Sequence, residues 1–187
     1  MSRSGIDAEA ALVRLRPRLR ELADGRTRLI GIDGFGATGK TTFADRLAAQ
    51  LPGAVVVHID DFAHPDLPAW DRARFLAEVI EPLRAGRTAR YRVGAWNVGD
   101  LTGAPLRTIP PGVPVVVEGV SSTDQRLGID WDLRIWLDAD REVRLARARE
   151  RDGEAMLDTW LERWMPSEEA YAKAQRPRDR ADMVVRT

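Results

Sequence analysis

The sequence contains no cysteine. Disulfides, thiolate metal sites and a cysteine nucleophile are therefore excluded, and nothing in the chain asks for an oxidising compartment. Lysine is nearly absent as well, with only Lys40 and Lys173 against 27 arginines. In a chain that otherwise uses arginine, a lysine at a motif position carries extra weight. Net charge is missing too, since Lys plus Arg and Asp plus Glu both number 29. No global field recruits nucleic acid or an anionic membrane, so any anion site must be local. Long apolar runs are also lacking: residues 1 to 25 carry Arg3, Arg14, Arg16, Arg18 and Arg20 without a continuous apolar core, unlike a signal peptide or a membrane span. These absences predict a cytoplasmic protein with neither nucleic-acid nor membrane partners, and leave self-association into a homo-oligomer open.

What the chain does have is 187 residues, 44% of them hydrophobic. That is enough for one α/β domain with a substantial core and too little for two, so 1–187 is expected to form a single domain. Ala8, Leu12, Leu15, Leu19 and Leu22 recur at helical spacing within the N-terminal 1–25, and Gly25 ends that helix. Arg28 to Asp33 is short, apolar and followed by glycines, which reads as a buried strand entering a turn. A helix is expected from Lys40 to about Gln50, a strand over Ala54 to Ile59, and a helix over Trp70 to Ala85 stopped by Gly86. The stretch 88–110 is rich in Gly, Arg and aromatic residues and reads as a loop or small hairpin above the sheet. Val113 to Glu118, Leu133 to Leu137 and Asp182 to Val185 complete the strands, with helices over Arg141 to Arg151 and Glu154 to Arg163. Strands alternating with helices predict an α/β fold of the P-loop NTPase type: a mostly parallel sheet covered on both faces, with ligands at the carboxyl ends of the strands.

Gly34-Phe35-Gly36-Ala37-Thr38-Gly39-Lys40-Thr41 satisfies G-x-x-x-x-G-K-[ST] between a strand and a helix, the context that motif requires. Glycines let backbone N–H groups turn inward around phosphate oxygens, and the helix amino terminus adds the positive end of its dipole. Gly34, Gly36, Ala37, Thr38, Gly39, Lys40, Thr41 and Thr42 are thus the expected nucleotide-binding residues. Lys40 should reach the β and γ phosphates, and the Thr41 hydroxyl can ligate Mg²⁺, so ATP and Mg²⁺ are the expected cofactors. The loop alone leaves kinase, GTPase and ATPase motor open. GTPases read guanine through an Asn-Lys-x-Asp segment, which is absent here, and carry Asp-x-x-Gly at the second metal strand, where this chain has Glu118-Gly119 instead.

Asp60 and Asp61 follow the second strand directly, which brings at least one carboxylate to the sheet edge beside the phosphate loop. There it can accept the proton of an incoming hydroxyl or orient that hydroxyl for in-line attack; a turn or cap would equally account for an Asp pair. Glu118 ends the next strand before Gly119, and the Mg²⁺ shell is the economical partner for its charge, an arginine pair being the alternative. Arg141, Arg144, Arg147, Arg149 and Arg151 crowd one helix. Such a helix can act as a lid over 140–153 that places guanidinium groups on the transferring phosphoryl, or can simply be a solvated face. His64, Tyr91 and Trp96 are candidates for the acceptor pocket, with packing the plainer explanation for each. His58, inside a strand, reads as structural, and Trp131, Trp136, Trp160 and Trp164 as core or interface.

Together these segments resemble the uridine kinase family, within the wider group that includes phosphoribulokinase and bacterial pantothenate kinase. The resemblance covers most of 28–185. IGIDGFGATGKTTFADRLA resembles the family's phosphate loop, HIDDF its strand-end segment, VVVEGV its Glu-Gly strand end, DADREVRLARARERD its lid helix, and EEAYAKAQRPRDRADMVV its closing segment. The resemblance implies an ATP-dependent kinase whose acceptor is a hydroxyl of a small molecule, a nucleoside in the first instance and pantothenate or a sugar in the second; a regulatory ATP binder is the third reading. It implies Asp60 as catalytic base and metal neighbour, Glu118 in the metal shell, Arg147 and Arg151 as lid arginines, and Asp61 and Phe62 on the acceptor side. Departures concentrate in that acceptor half. The chain has Ala63 ahead of His64-Pro65-Asp66, and Gly94-Ala95-Trp96 where relatives carry Tyr-Asp-Trp; no second arginine cluster follows Arg151-Asp152.

Overall fold

The computed structural model describes residues 5–67 and 69–187. Arg3, noted in the N-terminal segment, lies outside the described residues. A two-residue strand β1 (Ile6–Asp7) leads into helix α1 (Ala8–Leu22), which buries Ala11, Leu12, Leu15, Leu19 and Leu22. Asp7 starts the helix by accepting the Ala10 N–H at 3.0 Å. Strand β2 (Arg28–Gly34) and helix α2 (Lys40–Ala48) enclose the glycine-rich segment, and β3 (Val55–His58) follows. The strand expected over Ala54 to Ile59 is one residue shorter at each end, and at its carboxyl end Ile59–Phe62 closes into a 3₁₀ turn.

A continuous helical stretch over 72–84, here α3, contains a π-type segment at Leu76–Ile80. It begins after Trp70 rather than at it, because Asp71 caps its first turn through the Arg74 N–H. The segment expected as a loop or hairpin contains the antiparallel pair β4 (Ala89–Arg92) and β5 (Leu106–Ile109). Strands β6 (Pro114–Glu118) and β7 (Leu133–Asp138), helix α4 (Arg141–Asp152), a mixed helical run over 154–164, helices α5 (Met165–Gln175) and α6 (Pro177–Arg180), and strand β8 (Met183–Arg186) complete the chain.

The main sheet has six strands in the order β1-β8-β7-β2-β6-β3, and all its pairs are parallel. Parallel strands between helical layers are buried on both faces, which is why β2 and β6 read as continuous apolar runs. One core layer joins α1 and α2 to Ile30, Ile32, Val116, Ile135 and Leu137. The other joins α3 and the β4–β5 hairpin to Val57, Val115 and Val117. Because β2 sends the chain outward to β3 on one side while β6 and β7 later flank it on both, the strand order reverses at β2. The crevice at its carboxyl end is where open α/β sheets bind ligands.

Candidate active site

The glycine-rich segment leaves the carboxyl end of β2 and turns directly into α2. Gly39 caps that helix at φ 78°, a left-handed conformation suited to glycine. Lys40 begins it, only 8% exposed, and donates from Nζ to the Phe35 carbonyl at 2.7 Å. The same carbonyl accepts the Thr38 hydroxyl at 2.8 Å. Burial pulls the Lys40 pKa down, and the nearby carboxylates of Glu118, Glu168, Asp33 and Asp60 oppose that loss of charge. A lysine ringed by four acids is the charge pattern expected where a polyanion and a cation are to be exchanged for protein groups.

Three strand ends deliver the acids. Asp33, at the end of β2, is fully enclosed; its carboxylate accepts the Gly34, Ser121 and Thr123 N–H groups and the hydroxyls of Thr123 and Tyr171. Burial raises its pKa, against the lowering pull of the hydrogen bonds from Tyr171, Thr123 and Gly34. Glu118, at the end of β6 and 5% exposed, accepts the Thr41 hydroxyl at 3.1 Å on Oε1. His58 Nδ1 lies 2.7 Å from the same oxygen, because β3 and β6 pair His58 with Glu118 in register. That contact raises the His58 pKa.

Asp60 and Asp61 part company in the 3₁₀ turn. Asp60 reaches solvent, yet its carboxyl is enclosed enough for desolvation to raise its pKa, with Glu118 adding to the rise and Lys40, Arg151 and His58 opposing it. It therefore shares the field of the phosphate loop. Asp61 turns the other way, where the buried Tyr91 hydroxyl donates to its Oδ2 at 3.0 Å. Phe62 packs in the core against Phe75 and Tyr91. The Asp61 carbonyl accepts Gly94 N–H and an Arg74 guanidinium N–H, both at 2.6 Å, which ties the hairpin to the turn.

The remaining expected residues fall on two sides. His64 is half-buried and accepts the Asp66 N–H, and the hairpin tip approaches it at Gly99. Trp96 on that tip is 48% exposed. On the opposite side of the loop, Arg147 lies 3.5 Å from the Ala37 carbonyl and helps wall a cavity of about 360 Å³ with Thr42, Phe43, Arg46 and Thr187. Arg151 is bidentate on Asp152 and sits 5.7 Å from the Trp160 ring centroid, near enough to Asp60 for its charge to favour the ionised carboxylate. Arg144, which helical spacing places on the same face as Arg147 and Arg151, turns inward instead and pairs with Glu168 at 3.4 Å.

Sequence reasoning took His58 as structural, without its contact to Glu118, and did not single out Asp33 or Glu168. The first follows from strand register, which no local pattern reveals. Asp33 closes an apolar strand directly ahead of the loop, and that placement was a usable signal. Glu168 lies on a helix whose buried positions are only Met165 and Glu168, so no apolar period marks it.

Among the described residues no group of three or more His, Cys, Asp or Glu side chains is arranged to hold an ion alone. The oxygens at hand are the Thr41 hydroxyl and the carboxylates of Glu118 and Asp60. Few, hard oxygen donors fit Mg²⁺, which keeps waters and binds through one or two carboxylates plus substrate phosphates.

A parallel sheet with its glycine-rich loop at the central crevice, and acids from neighbouring strand ends around that loop, defines the P-loop kinase fold. No protein-family profile matches the chain. Uridine kinase-like protein 3 of Arabidopsis thaliana is 30% identical over 171 residues, 80% of this chain and 36% of that protein. Nicotinamide riboside kinase 1 of Rattus norvegicus is 34% identical over 99 residues, half of each chain. The solved structure of a candidate uridine kinase from Bacillus stearothermophilus superposes with a TM-score of 0.63 at 19% identity, over 92% of this chain and 99% of that one. The chain spans about a third of the length of the Arabidopsis relative. In sequence the chain is thus similar to uridine kinase-like proteins, and its fold is that of P-loop kinases; no helix among the described residues is long and apolar enough to cross a membrane.

Proposed function

We propose that this chain is a phosphotransferase that moves the γ-phosphoryl group of ATP to a hydroxyl of a small, nucleoside-type acceptor. The observation that carries the reading is the convergence on one point: the phosphate loop, Lys40, the Thr41–Glu118 contact and Asp60 all belong to one electrostatic neighbourhood. In this reading the backbone of Gly34 to Thr41 and the Lys40 ammonium hold the β and γ phosphates. Thr41, Glu118 and Asp60 are the groups that would hold Mg²⁺, which would supply positive charge to offset what develops on the phosphate oxygens. Asp60 takes or orients the acceptor proton as the acceptor oxygen bonds to the γ phosphorus and the bond to the bridging oxygen breaks, releasing ADP. Its raised pKa suits a base. The cavity beside Arg147 takes the nucleoside end of the donor, and Arg147 and Arg151 bring lid charge to the phosphates. Residues 1–187 act as one kinase domain, with 140–153, built on α4, as its short lid.

A second reading within the same chemistry has its own support. Asp61, Phe62 and Tyr91 are engaged with one another in the core, and Ala63 and Ala95 stand where the resemblance would place polar contacts. His64 and Trp96 then remain for the acceptor, which favours a ligand other than uridine, such as a pantothenate- or sugar-like polyol or another riboside. Acceptor-dependent ADP release, measured across nucleosides, sugars and pantothenate with Asp60→Asn beside the parent chain, decides. One acceptor that stimulates release only in the parent supports the kinase; ATP binding with no stimulation by any acceptor supports a regulatory ATP binder instead.

A further inference from the structure

The phosphate loop is gripped from outside by a helix the chemistry above does not use. Glu168 on α5 is 8% exposed, and its Oε2 accepts the Gly36 N–H at 2.9 Å. The same oxygen lies 3.4 Å from the Arg144 guanidinium of α4, and that guanidinium stacks 4.4 Å from the centroid of the Phe35 ring. One turn further along α5, the Tyr171 hydroxyl donates to Asp33 at 2.6 Å. The four residues Asp33 to Gly36 are therefore held between two contacts from α5 and one from α4. A second line runs from the end of α4 to the same place: Arg151 pairs with Asp152, Asp152 accepts the Trp160 indole N–H at 2.8 Å, and the Trp160 ring packs on Gly36. A Cβ at Gly36 would sit 2.6 Å from both Glu168 Oε1 and that ring, so the loop has no freedom to drift outward.

Stability gives no reason for this arrangement. A buried arginine–carboxylate pair gains little over apolar residues of equal volume. Arg144 moreover leaves its Nε buried without a hydrogen-bond partner among the described residues. Desolvation lowers the Arg144 pKa and raises that of Glu168, so both charges are held at a cost. What the pair does accomplish is geometric, since it fixes a backbone N–H of the loop to the helix that carries the lid arginines.

We propose that Glu168 is a positioning residue: it holds Gly36 and, through Arg144, keeps α4 in register with the phosphate loop, so that the loop and the lid arginines meet a terminal phosphate as one unit. This rests on the phosphotransferase reading for its kinetic consequence, but not for its binding consequence. Misplacing a reacting group by about 1 Å can cost on the order of 10²-fold in rate.

The test uses Glu168→Gln, which keeps a carbonyl for Gly36 N–H but removes the charge that holds Arg144, together with Arg144→Gln and the double variant. The double variant leaves no unpaired buried charge, so it stays informative if a single variant folds poorly. Calorimetric binding of MgADP and of MgATPγS is measured for each, and kcat and KM for MgATP are measured with whichever acceptor proves active. The expected result is a loss of about tenfold in MgATPγS affinity with MgADP affinity changed by less than about threefold. A fall in kcat of about ten- to a hundredfold should accompany it, and the double variant should be no worse than the worse single, as for residues acting through one contact. Unchanged kcat and unchanged triphosphate affinity alongside a lowered melting temperature would overturn the proposal by making the pair merely structural, as would losses that multiply in the double variant. If no acceptor supports turnover in the parent chain, the phosphotransferase reading fails while the diphosphate–triphosphate comparison still decides the role of Glu168.

Discussion

Two adjacent carboxylates, Asp60 and Asp61, should fail in opposite ways when replaced. Asp61 is buried, and the Tyr91 hydroxyl, only 3% exposed as a residue, spends its proton on it at 3.0 Å. In Asp61→Ala that hydroxyl is left buried without its acceptor, a loss of about 1 to 3 kcal/mol. For a chain of this length each kcal/mol moves the melting temperature by roughly 2 to 4 °C, so a fall of about 2 to 12 °C is expected. Asp60→Asn removes a carboxylate that desolvation and Glu118 already disfavour. Its melting temperature should stay level or rise slightly, while acceptor-dependent turnover falls by about 10²- to 10⁴-fold, the usual contribution of a positioned acid or base. Differential scanning fluorimetry and a coupled ADP assay on both variants separate the two roles. A large thermal loss in Asp60→Asn, or an Asp61→Ala protein that melts like the parent, would refute the division of labour between the two residues.

Other consequences are as direct. Lys40→Met should fold, since among the described residues the ammonium bonds only the Phe35 carbonyl, and should lose at least about 10²-fold in turnover, which the same ADP assay reads. Gly36→Ala forces a Cβ into Glu168 and Trp160, and overpacking of this kind costs about 1 to 3 kcal/mol; a lower melting temperature and weaker MgADP binding by calorimetry are expected. The raised Asp60 pKa places the acid limb of kcat/KM above the ordinary carboxylate range, with activity lost as pH falls through it; the limb should vanish from the residual activity of Asp60→Asn. His58 works in the other direction. Its folded pKa lies above 6.5, so its pairing with Glu118 stabilises the nucleotide-free protein fully below that pH, and the stabilisation is lost as pH rises through the folded value. Melting curves between pH 6 and 8 should show the decline in the parent chain and a flatter profile in His58→Asn.

How much of this was open to reading from the sequence depends on the distance over which each constraint acts. The phosphate loop was legible because its demands are local: Gly39 must adopt a left-handed turn and Lys40 must open the helix, and both sit in one octapeptide. The strands of the sheet were legible as apolar runs for the same reason, since burial on both faces acts residue by residue. The two-residue β1 is too short to leave a pattern. The direction of each Asp in the Ile59–Phe62 turn was not legible, because one tight turn sends neighbouring side chains to opposite sides. His58 met Glu118 only through a register between strands sixty residues apart. Helix α5 escaped notice because Pro166 opens it and Glu168, a charged residue, occupies a buried position that an apolar one would have advertised. What sequence patterns hide here is pairwise, and it lies in the residues that hold the loop rather than in the loop itself.

The most direct measurement is a crystal structure with a non-hydrolysable MgATP analogue. The terminal phosphates should lie within the backbone of Gly34 to Thr41, with Lys40 turned from the Phe35 carbonyl to the phosphate oxygens, Mg²⁺ beside Thr41 and Glu118, and the Asp60 carboxyl facing the γ-phosphate from the hairpin side. Phosphates bound outside that loop, or an Asp60 carboxyl directed away from them, would contradict the proposed chemistry.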